Sequence, residues 1–248
     1  MSELIWVVGA STGIGYELTR QLLRDGHKVI ASARRMETIE ELQSEHPTHL
    51  LPLTLDICDN EATAKACAQL LIDDKLPDRI VVCAGTYFPV TAEKVTEAAI
   101  SKVMDVNFYG AVRITEHMLP HMREQGSGHL VYVSSSAGYI GLPKALAYGP
   151  SKAALINFAE GMRIELAGSN IKVQVVNPGF VKTPLTAQNK FKMPFLMDVE
   201  DAAKRIREGM EKRQFEIKFP KRFTYMLRTI QMMPYALSLK ILSARTKE

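Results

Sequence analysis

The sequence predicts a single α/β domain, a doubly wound parallel sheet with helices on both faces. Strand-like and helix-like patterns alternate along the chain, which is typical of strand–helix–strand units with right-handed crossovers. The strand-like segments are short, β-branched and almost continuously apolar, as parallel strands buried on both faces are. The 248 residues, 46% hydrophobic and 23% charged, suit one globular domain spanning 1–248, and no repeat or low-complexity linker divides them.

Six strands and five helices are predicted. The first strand, Leu4 to Val8, is apolar throughout and stops at Gly9, and the helix after it places Leu18, Leu22 and Leu23 on one face. The predicted strands are 4–8, 27–33, 50–55, 79–83, 129–133 and 171–176. The predicted helices are 13–25, 37–45, 60–72, 97–124 and 148–167, and the fourth has apolar residues at helical spacing.

Composition limits the kinds of site that we expect. Cys58, Cys67 and Cys83 are odd in number and lack metal-ligand spacing, so we expect no disulfide framework, no metal and a reducing, cytoplasmic location. We expect neither a signal peptide nor a membrane-spanning segment. From Lys204 onward, 12 Lys or Arg residues stand against 4 Asp or Glu. This basic end suits an anionic surface or a solvated face, and we expect no nucleic-acid partner.

A glycine-rich turn follows the first predicted strand. Its sequence is Gly9-Ala10-Ser11-Thr12-Gly13-Ile14-Gly15, and it opens the first predicted helix. Glycine permits unusual φ angles and a close approach of backbone to ligand, and amide groups at a helix N-terminus favour an anion. We therefore interpret the turn as a site for a cofactor pyrophosphate. The alternative is a glycine-rich turn without a ligand.

The end of the second predicted strand indicates which dinucleotide binds. A site for NAD has an acidic residue there, which bonds the ribose 2′-hydroxyl. This chain has Ser32-Ala33-Arg34-Arg35, and Arg34, with Arg35 as a second candidate, would pair with a 2′-phosphate. The pattern predicts NADP(H), unless both arginines are ordinary solvated charges. Asp56, which closes the third strand, either accepts a hydrogen bond from the adenine amino group or caps the following helix.

A reactive pair is predicted at the start of the helix 148–167. Tyr148 and Lys152 are four residues apart and share one face of it. A phenol has a pKa of about 10, and a nearby ammonium would favour the phenolate, which helps proton transfer near neutral pH. Three serines at 134–136 follow the fifth strand, at the end of the sheet where open α/β proteins bind ligands. A serine there could hydrogen-bond a substrate carbonyl or hydroxyl.

Together these residues resemble the short-chain dehydrogenase/reductase family, in its branch of shorter chains. The resemblance spans residues 4 to about 185 in the family's order, and it implies a Rossmann-like fold. The matching motifs are Gly9-Ala10-Ser11-Thr12-Gly13-Ile14-Gly15, Cys83-Ala84-Gly85, Asp105-Val106-Asn107, the Ser135 region, Tyr148-Gly149-Pro150-Ser151-Lys152, and Asn177-Pro178-Gly179 followed by Thr183. Each motif is modest alone, and their combination is highly specific.

The resemblance implies a role for each matching residue. Tyr148 would be the general acid/base, and Lys152 would lower its pKa and hold the nicotinamide ribose. Ser135, thirteen residues before Tyr148, would orient the substrate oxygen, and Asn107 would hold a water that relays protons through Lys152. The implied cofactor-binding set is Gly9, Ser11, Thr12, Gly13, Ile14, Gly15, Arg34, Arg35, Asp56, Ile57, Ala84, Gly85, Tyr148, Lys152, Pro178, Gly179, Val181 and Thr183.

Two positions depart from the family pattern. Cys83 stands where the family's Asn-Asn-Ala-Gly motif has its second Asn, which puts local hydrogen bonding in doubt but not catalysis. Thr12 stands where many NADP-preferring members carry Lys or Arg. The NADP(H) prediction therefore depends on Arg34, with Arg35 as its neighbour.

The leading function hypothesis is an NADP(H)-dependent oxidoreductase that interconverts a carbonyl and an alcohol, as a homodimer or homotetramer. The segment 184–197 includes Phe191 and Phe195, and in this family it is usually a substrate lid. Its apolar content suggests a lipophilic substrate. The alternative is that the segment packs on the body of the protein or on a partner subunit. Tyr87 and Phe88 would line the same pocket or the core. The alternatives are a nucleotide-binding regulator, which the complete motif set argues against, and a peripheral membrane reductase acting on lipid.

The segment 221–244 is predicted to be an amphipathic basic tail on a core of about residues 1–220. Apolar residues from Phe223 to Ile241 recur every three or four positions, and Pro234 breaks the helix in two. Three interpretations stay open: packing over the pocket or a partner subunit, binding to an anionic membrane surface, or a mobile solvated tail. If the tail is an addition, deletion after Pro220 leaves the core folded.

Overall fold

Seven strands form one parallel sheet within residues 2–189 and 191–244, which the computed structural model describes. They are β1 (Leu4–Val8), β2 (Lys28–Ala33), β3 (Leu50–Thr54), β4 (Arg79–Val82), β5 (Gly128–Val133), β6 (Ile171–Pro178) and β7 (Glu216–Phe219). Their order across the sheet is β3-β2-β1-β4-β5-β6-β7, and every neighbouring pair is parallel. This is the doubly wound, Rossmann-like sheet that the sequence predicts.

Helices connect the strands and cover both faces of the sheet. Those in the described residues are α1 (Gly13–Arg24), α2 (Glu37–Glu45), α3 (Asn60–Ile72), α4 (Glu97–Met104), α5 (Gly110–Gln125), α6 (Tyr148–Glu165), α7 (Val199–Met210), α8 (Lys221–Met232) and α9 (Tyr235–Ala244). A π-helical turn, Asp105–Tyr109, joins α4 to α5. None of these helices is long and apolar enough to cross a bilayer.

The two faces of the sheet bury separate cores because successive strand residues point to opposite sides. Trp6 and Val8 of β1 lie in one core, together with apolar residues of α3, α5, α6 and α8. Ile5 and Val7 lie in the other, together with α1, α2 and α7. The strands are almost continuously apolar because both of their faces are buried, as the sequence predicts.

The predicted strands and helices are present with bounds that differ by one or two residues, except for the helix 97–124. There the chain forms two α-helices, because the π-helical turn at 105–109 interrupts the α-helical hydrogen bonding. Two elements lie beyond the prediction. The strand β7 has only four residues, in which Glu216 and Lys218 alternate with apolar side chains, and so short a pattern is a weak indication of a strand. Helix α7 buries Ala202, Ile206 and Met210 at helical spacing, which could have predicted it.

The predicted tail is two helices, and the break at Pro234 is confirmed, since α8 ends at Met232 and α9 begins at Tyr235. Helix α8 packs on the body. Its Phe223 and Leu227 belong to the same core as β1 and β5. A Cβ on Gly179, just after β6, would lie 2.9 Å from Cδ1 of Phe223, so the absence of a side chain at Gly179 lets α8 approach the sheet. This burial argues against the expectation that the chain after Pro220 can be removed without unfolding the core.

A carboxylate at the start of β7 ties α8 to the sheet. Oε1 of Glu216 accepts hydrogen bonds from Tyr139 Oη at 2.5 Å, Asn177 Nδ2 at 2.8 Å and Arg228 Nη2 at 3.2 Å. Lys218 Nζ donates to Oε2 at 2.8 Å. Although burial opposes the charged form, these donors lower the pKa of Glu216 to about 2. The charged carboxylate therefore links β6, β7, α8 and the turn after β5.

Shortening a buried side chain of α8 tests whether the helix belongs to the core. Leu227 is 2% exposed, so Leu227→Ala removes packed methyl groups and leaves a cavity. We expect a loss of about 2–4 kcal/mol in the free energy of unfolding, measured by urea denaturation. The control is Met232→Ala on the opposite side of α8, where the side chain is 86% exposed, with an expected change within about 0.5 kcal/mol. Equal, small changes in both variants would show that α8 is not part of the cooperative core.

Candidate active site

A cleft of about 390 Å³ opens at the carboxyl ends of the central strands. Every residue of the predicted cofactor-binding set lines it, and so does Ser135. Of the predicted site residues, Asn107 does not line the cleft. The lining residues that the sequence analysis did not single out include Leu55, Cys58, Thr86, Val106, Val133, Leu185, Thr186 and Gln188. Most of these directly follow or precede a predicted motif residue, which is the signal that could have found them.

The glycine-rich turn has the geometry of an anion site. Gly9 and Gly13 have φ angles of 88° and 58°, in the left-handed region that favours glycine. A Cβ on Gly9 would lie 2.6 Å from Cα of Ala84, so only glycine lets β1 and β4 come this close. Thr12 precedes α1 without a side-chain capping bond, and the first turn of α1 has no acidic residue. The amide groups at the start of α1 therefore face the cleft without a competing side-chain acceptor from the cap position.

At the other side of this turn, Arg34 and Asp56 line the cleft. Arg34 Nη1 lies 3.9 Å from Asp56 Oδ2, and the two side chains are 72% and 44% exposed. Such an exposed ion pair is weak, so the guanidinium is free to pair with a stronger anion. The idea that Asp56 caps the following helix is wrong, because Asp59 caps α3 by accepting from the amide of Ala62. Asp56 Oδ1 instead accepts from the amide of Cys58.

Tyr148, Lys152 and Ser135 meet in the middle of the cleft. Tyr148 and Lys152 lie on the first turns of α6, with the Lys152 ammonium 5.7 Å from the centre of the Tyr148 ring. Lys152 is 3% exposed, and its Nζ donates to the carbonyl of Val133, at the end of β5, at 2.9 Å. Ser135 Oγ accepts from the amide of Ala137 at 3.1 Å. The ends of β5 and α6 thus bring together two groups that can exchange protons and one hydroxyl that can orient a ligand.

Burial controls the ionisation of this pair. Burial raises the pKa of Tyr148 to about 12, although the hydrogen bond with Ser135 lowers it. Burial also lowers the pKa of Lys152 to about 8. Desolvation is the largest influence on Tyr148, and the expectation that Lys152 lowers its pKa stays a prediction. At neutral pH the phenol carries its proton, as a proton donor to a carbonyl must.

Comparison with known proteins agrees with the geometry. The family profile described as short chain dehydrogenase matches residues 3–193. The chain belongs to this family. It is therefore an oxidoreductase with a Rossmann-like fold, and the resemblance noted from its motifs is confirmed.

Individual members of the short-chain dehydrogenase family match most of the chain. An uncharacterized oxidoreductase of Myxococcus xanthus is 35% identical over 231 residues, which are 92% of this chain and 91% of that protein. The NADP-dependent 3-hydroxy acid dehydrogenase YdfG of Shigella flexneri is 32% identical over 179 residues, 72% of each chain. A crystal structure of a short-chain dehydrogenase from Streptomyces avermitilis has a TM-score of 0.83 at 26% identity and covers 92% of both chains. Other relatives are longer, and the chain spans 59% to 60% of their length.

Asn107 lies behind the cleft of this short-chain dehydrogenase, in the π-helical turn. It is 2% exposed. Its Oδ1 accepts from the amide of Thr86 at 2.7 Å, and its Nδ2 donates to the carbonyl of Thr86 at 3.0 Å and to Ser151 Oγ at 2.9 Å. Ser151 Oγ in turn donates to the carbonyl of Tyr148. These contacts make Asn107 a positioning residue that joins the loop after β4 to the first turn of α6, while its water-holding role stays a prediction.

Cys83, which stands where the family has Asn, keeps the backbone hydrogen bond between the ends of β1 and β4. The amide of Cys83 donates to the carbonyl of Val8 at 2.8 Å, which extends the ladder between β1 and β4. The thiol lines the cleft, and burial raises its pKa to about 12, so it is neutral at physiological pH. The change from Asn to Cys therefore leaves the frame of the cofactor cleft in place.

Tyr87 and the segment 184–197 surround the other end of the cleft. The ring of Tyr87 stands edge-on to that of Tyr148, with centres 5.3 Å apart, and Gln188 Nε2 donates to the carbonyl of Tyr87. Phe88 does not line the cleft and packs against a small cluster around Val90. In the segment 184–197, residues 184–186 and Gln188 line the cleft. Tyr87 therefore lines the pocket, whereas Phe88 belongs to the core.

The buried ammonium predicts a specific pH dependence of stability. Lys152 has a folded-state pKa of about 8, below its ordinary value of 10.5, so below pH 8 its protonation favours the unfolded chain. We expect Lys152→Met to raise the free energy of unfolding by about 2–3 kcal/mol at pH 7. The gain should shrink as the pH rises from 8 to 10.5, where the unfolded chain still binds a proton that the folded chain has lost.

Urea denaturation at pH 7 and at pH 9.5 or above measures this difference. Lys65→Met is the control, because the Lys65 side chain is 82% exposed and its charge costs nothing on folding. A Lys152→Met variant that is less stable than the wild type at both pH values would show that the ammonium stabilises the fold instead of straining it.

Proposed function

We propose that the protein is an NADP(H)-dependent oxidoreductase that interconverts a carbonyl and an alcohol on a lipophilic small molecule. The observation that carries the proposal is the convergence of Tyr148, Lys152 and Ser135 on the same cleft as the glycine-rich turn. A cofactor held at the glycine-rich turn and a substrate held at Tyr148 would therefore lie in the same cleft, where they can react. We also propose a cytoplasmic location, which suits the three free cysteines.

The residues of the cleft fit the charge of NADP(H). The open amide groups of α1 and the close approach permitted by Gly9 suit a pyrophosphate. Arg34, which holds Asp56 only loosely, suits a 2′-phosphate, and the Shigella flexneri relative is described as NADP-dependent. When bound, the nicotinamide would donate or accept the hydride.

The side chains of the cleft supply the proton. In the reducing direction, Tyr148 donates its phenolic proton to the carbonyl oxygen as that oxygen gains charge. Ser135 Oγ accepts from the Ala137 amide and lies 3.5 Å from the carbonyl oxygen of Pro178, a weak contact, so its hydroxyl can turn from Pro178 or Tyr148 to the substrate oxygen. Lys152 stabilises the phenolate that remains, since the two groups lie on adjacent turns of α6.

The environment of the substrate end favours an apolar molecule. Tyr87 and Leu185 line that end of the cleft. Phe191 and Phe195 in the following segment are 42% and 48% exposed, although they contact Phe180 and Phe223. Neither of these two rings lines the cleft, so the apolar side chains that a substrate would meet there are those of Tyr87 and Leu185.

We also propose a homodimer or homotetramer, as is usual in this family, with the contact on α5 and α6, the helices that usually form it there. Met118 of α5 and Leu155 of α6 are 0% and 1% exposed within one protomer, so they cannot form such a contact. The contact would use the exposed residues of these helices instead, among them Ile164, which is 72% exposed. A mass of a single 27.7 kDa chain by light scattering at micromolar concentration would contradict this proposal.

Replacement of Arg34 tests the choice of cofactor. We expect Arg34→Ala to weaken NADPH binding by about 10- to 100-fold, because a charge-assisted bond to the phosphate is lost, and to leave NADH binding within about twofold. Fluorescence titration of both cofactors measures the change. Arg205→Ala, an exposed charge on α7, is the control. Equal affinities of the wild type for the two cofactors would contradict the assignment.

Replacement of Tyr148 tests the proton donor. Tyr148→Phe keeps the ring and removes the hydroxyl, so we expect the rate of carbonyl reduction to fall by about 10²–10⁴-fold or more while NADPH binding stays nearly unchanged. The assay follows NADPH absorbance with a panel of apolar ketones and aldehydes. Tyr109→Phe, outside the cleft, should retain activity. If Tyr148→Phe reduced carbonyls as fast as the wild type, another group would be the donor.

A further inference from the structure

The two C-terminal helices present a surface that the reaction does not use. We call it the basic apolar surface, and it consists of exposed side chains on α8 and α9. They are Lys221, Arg222, Tyr225, Met232, Tyr235, Leu237, Leu239 and Lys240. Met232 and Tyr235 are 86% and 82% exposed, which is far more than large apolar side chains usually are.

Helix α8 is two-sided. Phe223, Leu227 and Ile230 lie in the protein, while Tyr225 and Met232 lie on the solvent side with the basic residues of the first turn. In α9 only Ser238 and Leu242 are buried, so most of its circumference is open to solvent. Of the thirteen large apolar side chains that are exposed in the described residues, eight lie between Phe191 and Leu239. Exposed apolar groups concentrated in this way mark an interaction surface.

The charge of this surface has one sign. From Ile217 to Ala244 the sequence has five Lys or Arg and no Asp or Glu. Lys218 and Arg228 are bonded to Glu216. None of the ion pairs in the described residues involves Lys221, Arg222 or Lys240. Three exposed cations therefore share these two helices with the exposed apolar side chains, and the complementary partner is anionic and apolar.

The charge argues against a second copy of the chain as the partner. In a two-fold symmetric contact the same patch faces itself, so the cations of one α8–α9 pair would face those of the other. Like charges in such a contact oppose binding. A bilayer with anionic headgroups offers both complements, because apolar side chains enter the boundary of the acyl chains while Lys and Arg contact the headgroups.

We propose that the basic apolar surface binds the protein to the face of an anionic membrane. Helices of 12 and 10 residues are suited to lie in the interface. Tyr225 and Tyr235 present aromatic rings with a polar tip, the form of side chain that is enriched at membrane interfaces. The binding is peripheral and depends on salt, because part of it is electrostatic.

The buried side of α8 packs against residues next to the cleft. Phe223 of α8 contacts Phe180 and Phe195, with ring centres 5.5 Å and 6.3 Å apart, and Phe195 belongs to the segment 184–197 that borders the cleft. A membrane bound to the exposed side of α8 would therefore lie across this helix from the segment. That an apolar substrate reaches the cleft from that side rests on the proposed function, whereas the membrane binding itself does not.

Sedimentation with lipid vesicles tests the proposal on the full chain. We expect the protein to pellet with vesicles of phosphatidylcholine and phosphatidylserine, and to be released by high salt. Lys221→Glu/Arg222→Glu should lower the partition coefficient by at least about tenfold. Glu in the first turn of α8 is favourable for the helix, so this variant stays folded. Met232→Glu/Tyr235→Glu should lower it similarly, because the apolar contact is lost.

The matched control is Ile72→Glu, which places the same charge at an exposed apolar position of α3, where the side chain is 77% exposed. It should bind vesicles like the wild type. The proposal is overturned if the wild type does not pellet with the anionic vesicles, pellets equally with phosphatidylcholine alone, or loses binding in Ile72→Glu to the same extent. A lower oligomeric mass of Met232→Glu/Tyr235→Glu in light scattering would also overturn it, because a second copy would then cover the surface. Vesicle binding needs no cofactor, so failure here leaves the proposed function standing.

Discussion

Parallel hydrogen bonding between neighbouring strands holds the carboxyl ends of β1, β2, β4, β5 and β6 at one edge of the sheet. The cleft and the residues that face it depend on this alignment. The glycine-rich turn, Arg34, Ser135 and Gly179 each follow a different strand and lie far apart in sequence, and all of them line the same cleft. The apolar cores on both faces make the alignment rigid, so a substitution in either core acts on the cleft through the sheet.

The chemistry of the cleft conflicts with the stability of the fold. An ammonium at Lys152, almost completely buried and bonded to one backbone carbonyl, is less stable than it would be in water. Burial also keeps the proton on Tyr148. The same burial excludes water from a reacting carbonyl and strengthens every electrostatic interaction near it. Behind the cleft, Asn107 is bonded to Thr86 and Ser151 and joins the loop after β4 to the start of α6.

Helix α8 joins the two conclusions about function. Its buried side contributes Phe223 and Leu227 to the core and holds β6 and β7 through Glu216 and Arg228. Its other side carries the basic apolar surface, and the rings around Phe223 reach the segment beside the cleft. A helix that is fastened to the sheet in this way can hold a docking surface at a constant position relative to the substrate end of the site.

The sequence by itself determined the alternation of strands and helices, the glycine-rich turn, the Arg34 position and the pairing of Tyr148 with Lys152, because these are local patterns. The tertiary structure decided the rest. It placed β7 beside β6, although four residues with alternating charges are a weak local signal. It also placed Asn107 behind the cleft in a π-helical turn, where the apolar spacing of residues 97–124 predicts one continuous α-helix. It also set the pKa values of Tyr148 and Lys152, because burial depends on what the rest of the chain packs around them.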